Sequence, residues 1–171
     1  MKKLLLILVF FYVGFILFMP KINLYYTLES LLQKEHIVIQ EGGLHDRWID
    51  LDIQNSVVLY DGVASVQADS ITITPWLFSN SIHALNVGPT VAIKRLLDVH
   101  ADDVLLTYAL WDYKYVHIEA SGDFGVISGR VDVLAQTVHL VLTPSAKFKN
   151  HDVVRQYFKK TEEGLVYDTK L

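Results

Sequence analysis

The residues of this chain best suited to chemistry are histidines that stand next to aspartates. They form one dense group and two pairs: His100 with Asp98, Asp102 and Asp103; His45 with Asp46; and His151 with Asp152. An imidazole beside a carboxylate can transfer protons or help to hold a divalent metal ion. The spacing of the dense group matches no established ligand pattern, and Asp102 and Asp103 would point to opposite faces of an extended segment. We therefore interpret residues 98–103 as a solvated loop between strands.

Two short strings resemble catalytic motifs without their context. Asp123-Phe124-Gly125 spells the DFG of protein kinases, but no glycine-rich phosphate loop accompanies it. The segment 125–129 has its serine one position too late for a nucleophile elbow. The chain also contains no cysteine, which removes thiol catalysis and cysteine-based metal sites. We therefore predict a protein that is not an enzyme and has no catalytic, metal or cofactor-binding residues.

Aromatic side chains are the stronger candidates for a functional surface. Core packing is the ordinary role of aromatic residues in a sheet, and it remains one interpretation here. The other interpretation is an open face that binds another chain or an acyl group. The candidate interaction surface consists of Trp76, Phe78, Tyr108, Trp111, Tyr113 and Tyr115.

Strands and turns must position these residues. From residue 37 onward apolar residues recur at every second position, and turn signals follow one another at intervals of about 8–12 residues. Asp61-Gly62 is the strongest hairpin signal, and the alternation over 48–53 predicts that Asp52 faces water. Residues 91–97 read as a strand, and Pro75–Phe78 as a helical turn. The sequence predicts a mainly β fold: a curved antiparallel meandering sheet of about nine or ten strands.

Short helices are expected at both ends of this sheet. Over residues 24–35 the apolar residues Leu24, Leu28, Leu31 and Leu32 form one helical stripe. That helix would either lie at a membrane surface or cover one end of the sheet. Asn150 is a suitable N-cap for a last helix, and residues 165–167 suggest a final strand.

The N-terminus carries an apolar run that predicts a membrane anchor. Residues 4–19 are apolar without a break, and Lys2 and Lys3 precede them. At ~1.5 Å per residue the run covers roughly 24 Å, slightly less than a ~30 Å hydrocarbon core. A cleaved signal peptide would need small residues near the cleavage site, which are missing after the run. The positions chosen to represent the anchor are Leu4, Leu8, Phe11, Phe15 and Met19.

This anchor sets the expected location of the chain. The two lysines place the N-terminus in the cytoplasm, so we predict a single-pass protein of the bacterial inner membrane. Residues 1–21 would form the cytoplasmic end and anchor, and residues 22–171 a periplasmic β-rich domain. The net charge of −4 argues against a nucleic-acid partner, which would need a basic face. The expected partners are inner-membrane lipid and other proteins.

Several segments together resemble a known family. They are LYYTLESLLQKE after the anchor, ITITPWLF in the middle of the strands, VDVLAQTVHLVLTPSAKF, and the closing EEGLVY. In this arrangement the chain resembles the N protein of the type II (general) secretion pathway. The resemblance implies a non-enzymatic accessory protein of the inner membrane that contacts other secretion components from the periplasmic side. It supplies no catalytic residues.

A wider similarity leaves a second function open. The chain is similar in plan to AsmA-type periplasmic proteins, whose curved sheets can form lipid-holding grooves, as in lipopolysaccharide-transport bridges. The sheet would then hold lipid instead of joining an assembly by strand addition. A groove needs an apolar face without a covering layer, whereas a sandwich buries both inner faces.

Overall fold

The fold is an antiparallel sheet that follows two N-terminal helices. The computed structural model describes residues 2–95, 98–146, 148, 158–161 and 164–170. The helices are α1 (Lys2–Phe18) and α2 (Lys21–Lys34). The strands are β1 (Ile37–Gln40), β2 (Gly43–Asp46), β3 (Leu51–Tyr60), β4 (Val63–Pro75), β5 (Ser79–Pro89), β6 (Ala101–Ala109), β7 (Tyr115–Gly122), β8 (Gly125–Asp132), β9 (Thr137–Pro144), β10 (Lys159–Thr161) and β11 (Gly164–Lys170).

The strands form a meander in which most neighbours in the sheet are also neighbours in the chain. The order is β1-β3-β4-β5-β6-β7-β8-β9-β11-β10, and β2 pairs with β3 beside β1. All pairings are antiparallel, and in the described part of the chain β1 and β10 do not pair with each other, so the sheet is open. The mainly β prediction is confirmed, with eleven strands instead of about nine or ten.

The hairpin between β3 and β4 follows the predicted turn chemistry. Tyr60 pairs with Val63, so the loop contains only Asp61 and Gly62. Both residues have positive φ, 49° and 77°, as a type I′ turn requires. This turn matches the right-handed twist of the flanking strands, which explains why Asp-Gly predicts it well.

Gly62 gives a direct test of that turn. Gly62→Ala is expected to lower the free energy of unfolding by about 1 kcal/mol, because alanine pays a steric cost at positive φ. An added Cβ would have no atom within 4 Å, so the effect would come from backbone conformation alone. Urea unfolding in detergent, followed by circular dichroism, measures the change. Asp61→Asn is the control and should be nearly neutral, since asparagine tolerates this conformation.

Three local predictions require correction or lie outside the described residues. Residues 91–95 form a turn, with the Ile93 and Lys94 amides donating to the Thr90 carbonyl at 3.0 and 2.8 Å, so the predicted strand is wrong there. Pro75 ends β4, and the Trp76 amide donates to the Ser79 carbonyl at 3.1 Å, which closes a tight turn instead of a helical one. The last helix, predicted over residues 150–160 with Asn150 as its N-cap, lies outside the described residues up to 157, and it is wrong at its end because residues 159–161 form β10.

The two helices meet at a sharp bend. Pro20 lies between them and disfavours a helical conformation at Met19, which explains why α1 stops at Phe18. Among the described residues no single helix is long and apolar enough to cross a membrane, but the pair passes together with a bend of 60°. In length and composition the pair fits a membrane span or a signal sequence.

Buried side chains gather in two clusters near opposite ends of the strand order. In the first, Tyr25 of α2 packs on Leu51 and Ile53 of β3. In the second, Phe124 and Phe148 pack on Leu142 of β9. Helix α2 therefore covers the sheet at the β3 side of the strand order, as one of the two interpretations of that helix predicted.

The rotation of α2 differs from the one that its leucine stripe predicts. Leu24, Leu28 and Leu31 are exposed, while Tyr25 is buried against the sheet. Polar contacts explain this rotation, since the Lys21 ammonium donates to Asp46 at 3.1 Å and the Tyr25 hydroxyl donates to Glu41 at 3.3 Å. These two anchors turn most of the leucine stripe away from β3.

Candidate functional site

The register of the sheet separates an apolar face from a polar face. Residues paired across antiparallel strands share a face, and one row runs from Ile73 through Ile82 and Leu106 to Ile118. We call this side the apolar face; its members are Leu51, Ile53, Ile71, Ile73, Ile82, Ala84, Val104, Leu106, Ile118, Ala120, Ile127, Leu140, Leu142 and Leu165. The opposite side, the polar face, includes Asp52, Thr72, Ser81, His83, Thr107, His117, Glu119, Ser128, Arg130, His139 and Asp168.

Among the described residues, the two clusters cover the ends of the apolar face but not its middle. Tyr25 lies over β3, and Phe148 lies over β9. Between them lies a set of half-buried apolar side chains that belong to neither cluster of the described residues. We call this set the central strip: Ile82, Val104, Leu106, Ile118 and Leu140.

Helix α2 borders the apolar face beside β3 and β4. Its exposed residues Leu24 and Leu28 join Leu51, Ile73 and Pro75 of the sheet around an apolar cavity of about 90 Å³. Leu24 and Leu28 therefore extend the apolar surface on its β3 and β4 side. The apolar lining of this small cavity suits part of an aliphatic chain.

We compared this chain, with its apolar sheet face and two N-terminal helices, with known proteins. No family model, curated protein or solved structure matches this chain. Evidence for the function of this chain accordingly comes from its own contacts.

The polar face carries three histidine–carboxylate pairs that spacing along the sequence does not reveal. His83 lies 2.7 Å from Asp103, His139 lies 2.6 Å from Asp168, and His117 lies 2.8 Å from Asp112. Two of these pairs join different strands, so only the register brings them together. The signal that finds them is strand pairing, as in the direct register between His139 and Asp168.

The histidine groups singled out from the sequence do not converge on one site. Asp103 bonds to His83, and His100 lies 3.6 Å from Asp102. Asp46 accepts from Lys21 while His45 is exposed, and His151-Asp152 lies outside the described residues. Within the described ranges there is no group of three or more histidine, aspartate or glutamate residues placed to hold a metal ion.

Asp52 corrects the expectation that it faces water. Its side chain belongs to the polar face, yet only 3% of the residue is exposed. The carboxylate accepts hydrogen bonds from Gln54 at 3.0 Å, Ser70 at 3.1 Å and Arg47 at 3.0 Å. The hydrogen bond from Gln54 is the largest cause that lowers the pKa of Asp52, and the hydrogen bond from Ser70 and the charge of Arg47 add to it. Burial acts in the opposite direction and raises the pKa.

Acid should therefore remove part of the stability through Asp52. A carboxylate whose pKa is lowered by folding stabilises the fold above its unfolded-state pKa of ~3.9, and this contribution disappears as the pH falls through the lower folded-state value. We expect Asp52→Asn to be less stable than the wild type at pH 7 and to show a smaller loss of stability between pH 6 and pH 2. Thermal unfolding across that pH range measures both effects, with Asp69→Asn as the exposed control. Equal acid dependence in Asp52→Asn and wild type would contradict the assignment.

The six aromatic candidates occupy four different places. Trp76 and Phe78 lie in the β4–β5 connection, and Trp111 and Tyr113 lie in the β6–β7 connection. Tyr108 lies on the apolar face opposite Val116. Tyr115 lies on the polar face, where the Arg130 guanidinium stands 4.8 Å from its ring centre. These residues do not form one stripe, but four of them share one end of the sheet.

The anchor positions lie on an exposed helix beside that same end. Leu4, Leu8, Phe11 and Phe15 are exposed on α1, and Met19 follows its last residue. The Tyr12 ring stacks on the Phe78 ring with 5.6 Å between centroids. The helix proposed as the anchor therefore contacts one of the aromatic connections directly.

Proposed function

We propose that this chain is a non-enzymatic protein, tethered to the bacterial inner membrane by its N-terminal helices, whose periplasmic sheet holds a lipid acyl chain on its apolar face. The single observation that supports this proposal is the half-buried central strip. An entirely aliphatic strip that no cluster of the described residues covers matches the groove alternative better than the sandwich alternative. In this proposal the sheet curves around the lipid as in AsmA-type proteins.

An acyl chain is the occupant that the chemistry favours. The central strip presents aliphatic side chains, so it selects a chain of methylene groups over a ligand that needs hydrogen bonds. The central strip crosses β5 to β9, which at ~4.8 Å spacing extend over about 19 Å, enough for an extended chain from one ~15 Å leaflet. An acyl chain that leaves a bilayer for this strip keeps apolar contact on the side that faces the sheet, so the free energy of transfer depends on how much of its other side meets water.

Two adjacent leucines allow a matched test of this proposal. Leu106 belongs to the central strip, whereas Leu105 pairs with His83 and Glu119 on the polar face. A photo-cross-linking amino acid is introduced at either position of the full-length protein in bacterial membranes. After irradiation, mass spectrometry identifies the adducts.

The two positions should give different adducts. We expect a phospholipid or other acyl-chain adduct at position 106 and none at position 105. Protein adducts at 106 without lipid would refute the lipid proposal and favour an assembly role. Equal lipid labelling at both positions would also refute it, because it would show unspecific contact with the membrane.

A type II secretion accessory role is the second candidate, and an open strand edge favours it. Strand β1 carries Ile37, Val38 and Ile39 and pairs only with β3 among the described strands. It has no charge or proline that would oppose the addition of another strand. By contrast, β10 carries two lysines, Lys159 and Lys160, which protect its edge. A partner strand from another secretion component would therefore join β1.

Isolation of the tagged full-length protein from membranes tests this second candidate. Secretion-platform proteins should be recovered with the wild type and lost with Val38→Lys, which places a charge on the β1 edge. Lys160→Ala at the other edge is the matched control and should keep them. Recovery that is equal in all three proteins, or absent from all three, would contradict strand addition at β1.

A further inference from the structure

The four connections at the α1 end of the sheet share an unusual composition. Consecutive turns of a meander alternate between its two ends, so residues 47–50, 76–78, 110–114 and 133–136 lie at the same end. Each of these connections exposes at least two large apolar side chains. We call this set the aromatic rim: Trp48, Ile49, Trp76, Leu77, Phe78, Leu110, Trp111, Tyr113, Val133 and Leu134.

The opposite end of the sheet differs in its exposed apolar side chains more than in its charges, since the rim connections themselves contain Arg47, Asp50, Asp112 and Lys114. The described residues of its connections include Asp61, Lys94, Arg95, Asp98 and Asp123, all exposed. Tyr60, Val63 and Val91 are exposed there as well, but each stands near charged residues and none is a tryptophan. The chain contains three tryptophans, and all of them lie on the rim, with Trp48 79% and Trp111 76% exposed.

We infer that the aromatic rim inserts into the interface of the bilayer that α1 enters, so that the sheet stands end-on against the membrane. Tryptophan and tyrosine favour the membrane–water interface, because their rings are apolar while their N–H and O–H groups remain hydrated. The exposed loop leucines and valines would enter the acyl region beside them. Lys114 lies within one of these connections and its exposed side chain can extend to the headgroups, while the Arg47 guanidinium binds Asp52.

Continuity with the N-terminal helix selects a bilayer over another occupant. Tyr12 of α1 stacks on Phe78 of the rim, and Leu17 and Phe18 line a cavity with Trp48. The exposed apolar surface of the helix thus runs into the exposed apolar surface of the rim. A helix in hydrocarbon would bring these connections to the membrane without any further protein.

This inference holds whether the apolar face takes lipid or protein, so it is tested separately. All three tryptophans lie on the aromatic rim and none belongs to the central strip. The tryptophan fluorescence of the wild-type protein therefore reports on the rim. The full-length chain is reconstituted into phosphatidylcholine vesicles, with either ordinary or brominated acyl chains. Iodide is added on both sides of the bilayer as the aqueous quencher.

A matched control places the reporter at the other end. All three rim tryptophans are replaced by phenylalanine, and Tyr60→Trp supplies one tryptophan in the opposite hairpin, at a position that is 57% exposed in the wild type. We expect brominated lipid to lower the wild-type emission about twofold and iodide to have little effect, because interfacial indoles lie close to the acyl chains. The control should show the reverse.

Two results would overturn the inference. Wild-type emission that is quenched by iodide and not by brominated lipid would place the rim in water. Emission that resists both quenchers would mean that protein, for example a second copy of the chain, covers the rim. Neither of these results depends on whether position 106 cross-links to lipid, so the two proposals can fail separately.

Discussion

Replacing Leu142 with alanine is expected to lower the free energy of unfolding by about 3 kcal/mol. Only 1% of this residue is exposed, and it packs with Phe124 and Phe148 in the second buried cluster. Alanine would lose the transfer free energy of the leucine side chain and leave a cavity that the surrounding rings fill only in part. Equilibrium unfolding of the full-length protein in detergent, followed by circular dichroism, measures the loss.

Leu106→Ala is the informative control for this prediction. The residue type is the same, but Leu106 lies half-buried in the central strip and belongs to neither cluster of the described residues. We expect a loss of about 1 kcal/mol, because less apolar surface returns to water and no closed cavity forms. If Leu106→Ala costs as much as Leu142→Ala, the central strip is part of a covered core and the groove proposal fails.

Asp46→Ala is expected to cost about 3 kcal/mol because it leaves a buried ammonium group without its anion. The Lys21 side chain is 2% exposed, and its Nζ lies 3.1 Å from Asp46 Oδ1. No compensating charge would replace the carboxylate, so the fold would hold a charge that water cannot reach. Thermal and urea unfolding in detergent measure the loss.

The reverse substitution should be milder. Lys21→Met leaves Asp46 unpaired, but 36% of the Asp46 side chain is exposed and water can hydrate it. Methionine also fills most of the volume of the lysine stem. We expect a loss of about 1 kcal/mol, and Lys21→Met combined with Asp46→Ala should recover most of the loss of Asp46→Ala. Equal losses in the two single variants would show that the ammonium is hydrated in the native protein.

The alternation of the sequence predicts the strands well because each strand has one apolar face. It predicts the Asp61-Gly62 hairpin for the same kind of reason, since the turn depends on the conformational preferences of two adjacent residues. The predicted strand at 91–97 fails where it can be checked, over 91–95, because the Thr90 carbonyl closes a local turn that competes with extension. Apolar composition alone does not distinguish an extended strand from a local turn.

The candidate sites depend on contacts that sequence spacing does not contain. The pairing of His139 with Asp168 follows from the register of β9 with β11. The rotation of α2 follows from Lys21 and Tyr25, whose polar groups find partners on the sheet side of the helix. Trp48 is not among the surface residues predicted from the sequence, because its place on the aromatic rim depends on which connections lie at the same end of the meander. The sequence shows the type of each residue but not which residues it contacts in the fold.

The order of the strands also bears on how the protein reaches its native state. From β3 to β9, every strand pairs with the strand that follows it in the chain. Each new hairpin can therefore close as soon as its second strand is available, at the small entropic cost of a short loop. Because synthesis starts at the N-terminus, the sheet can grow by one strand at a time as the chain lengthens. Only β11 must then pass over β10 to reach β9.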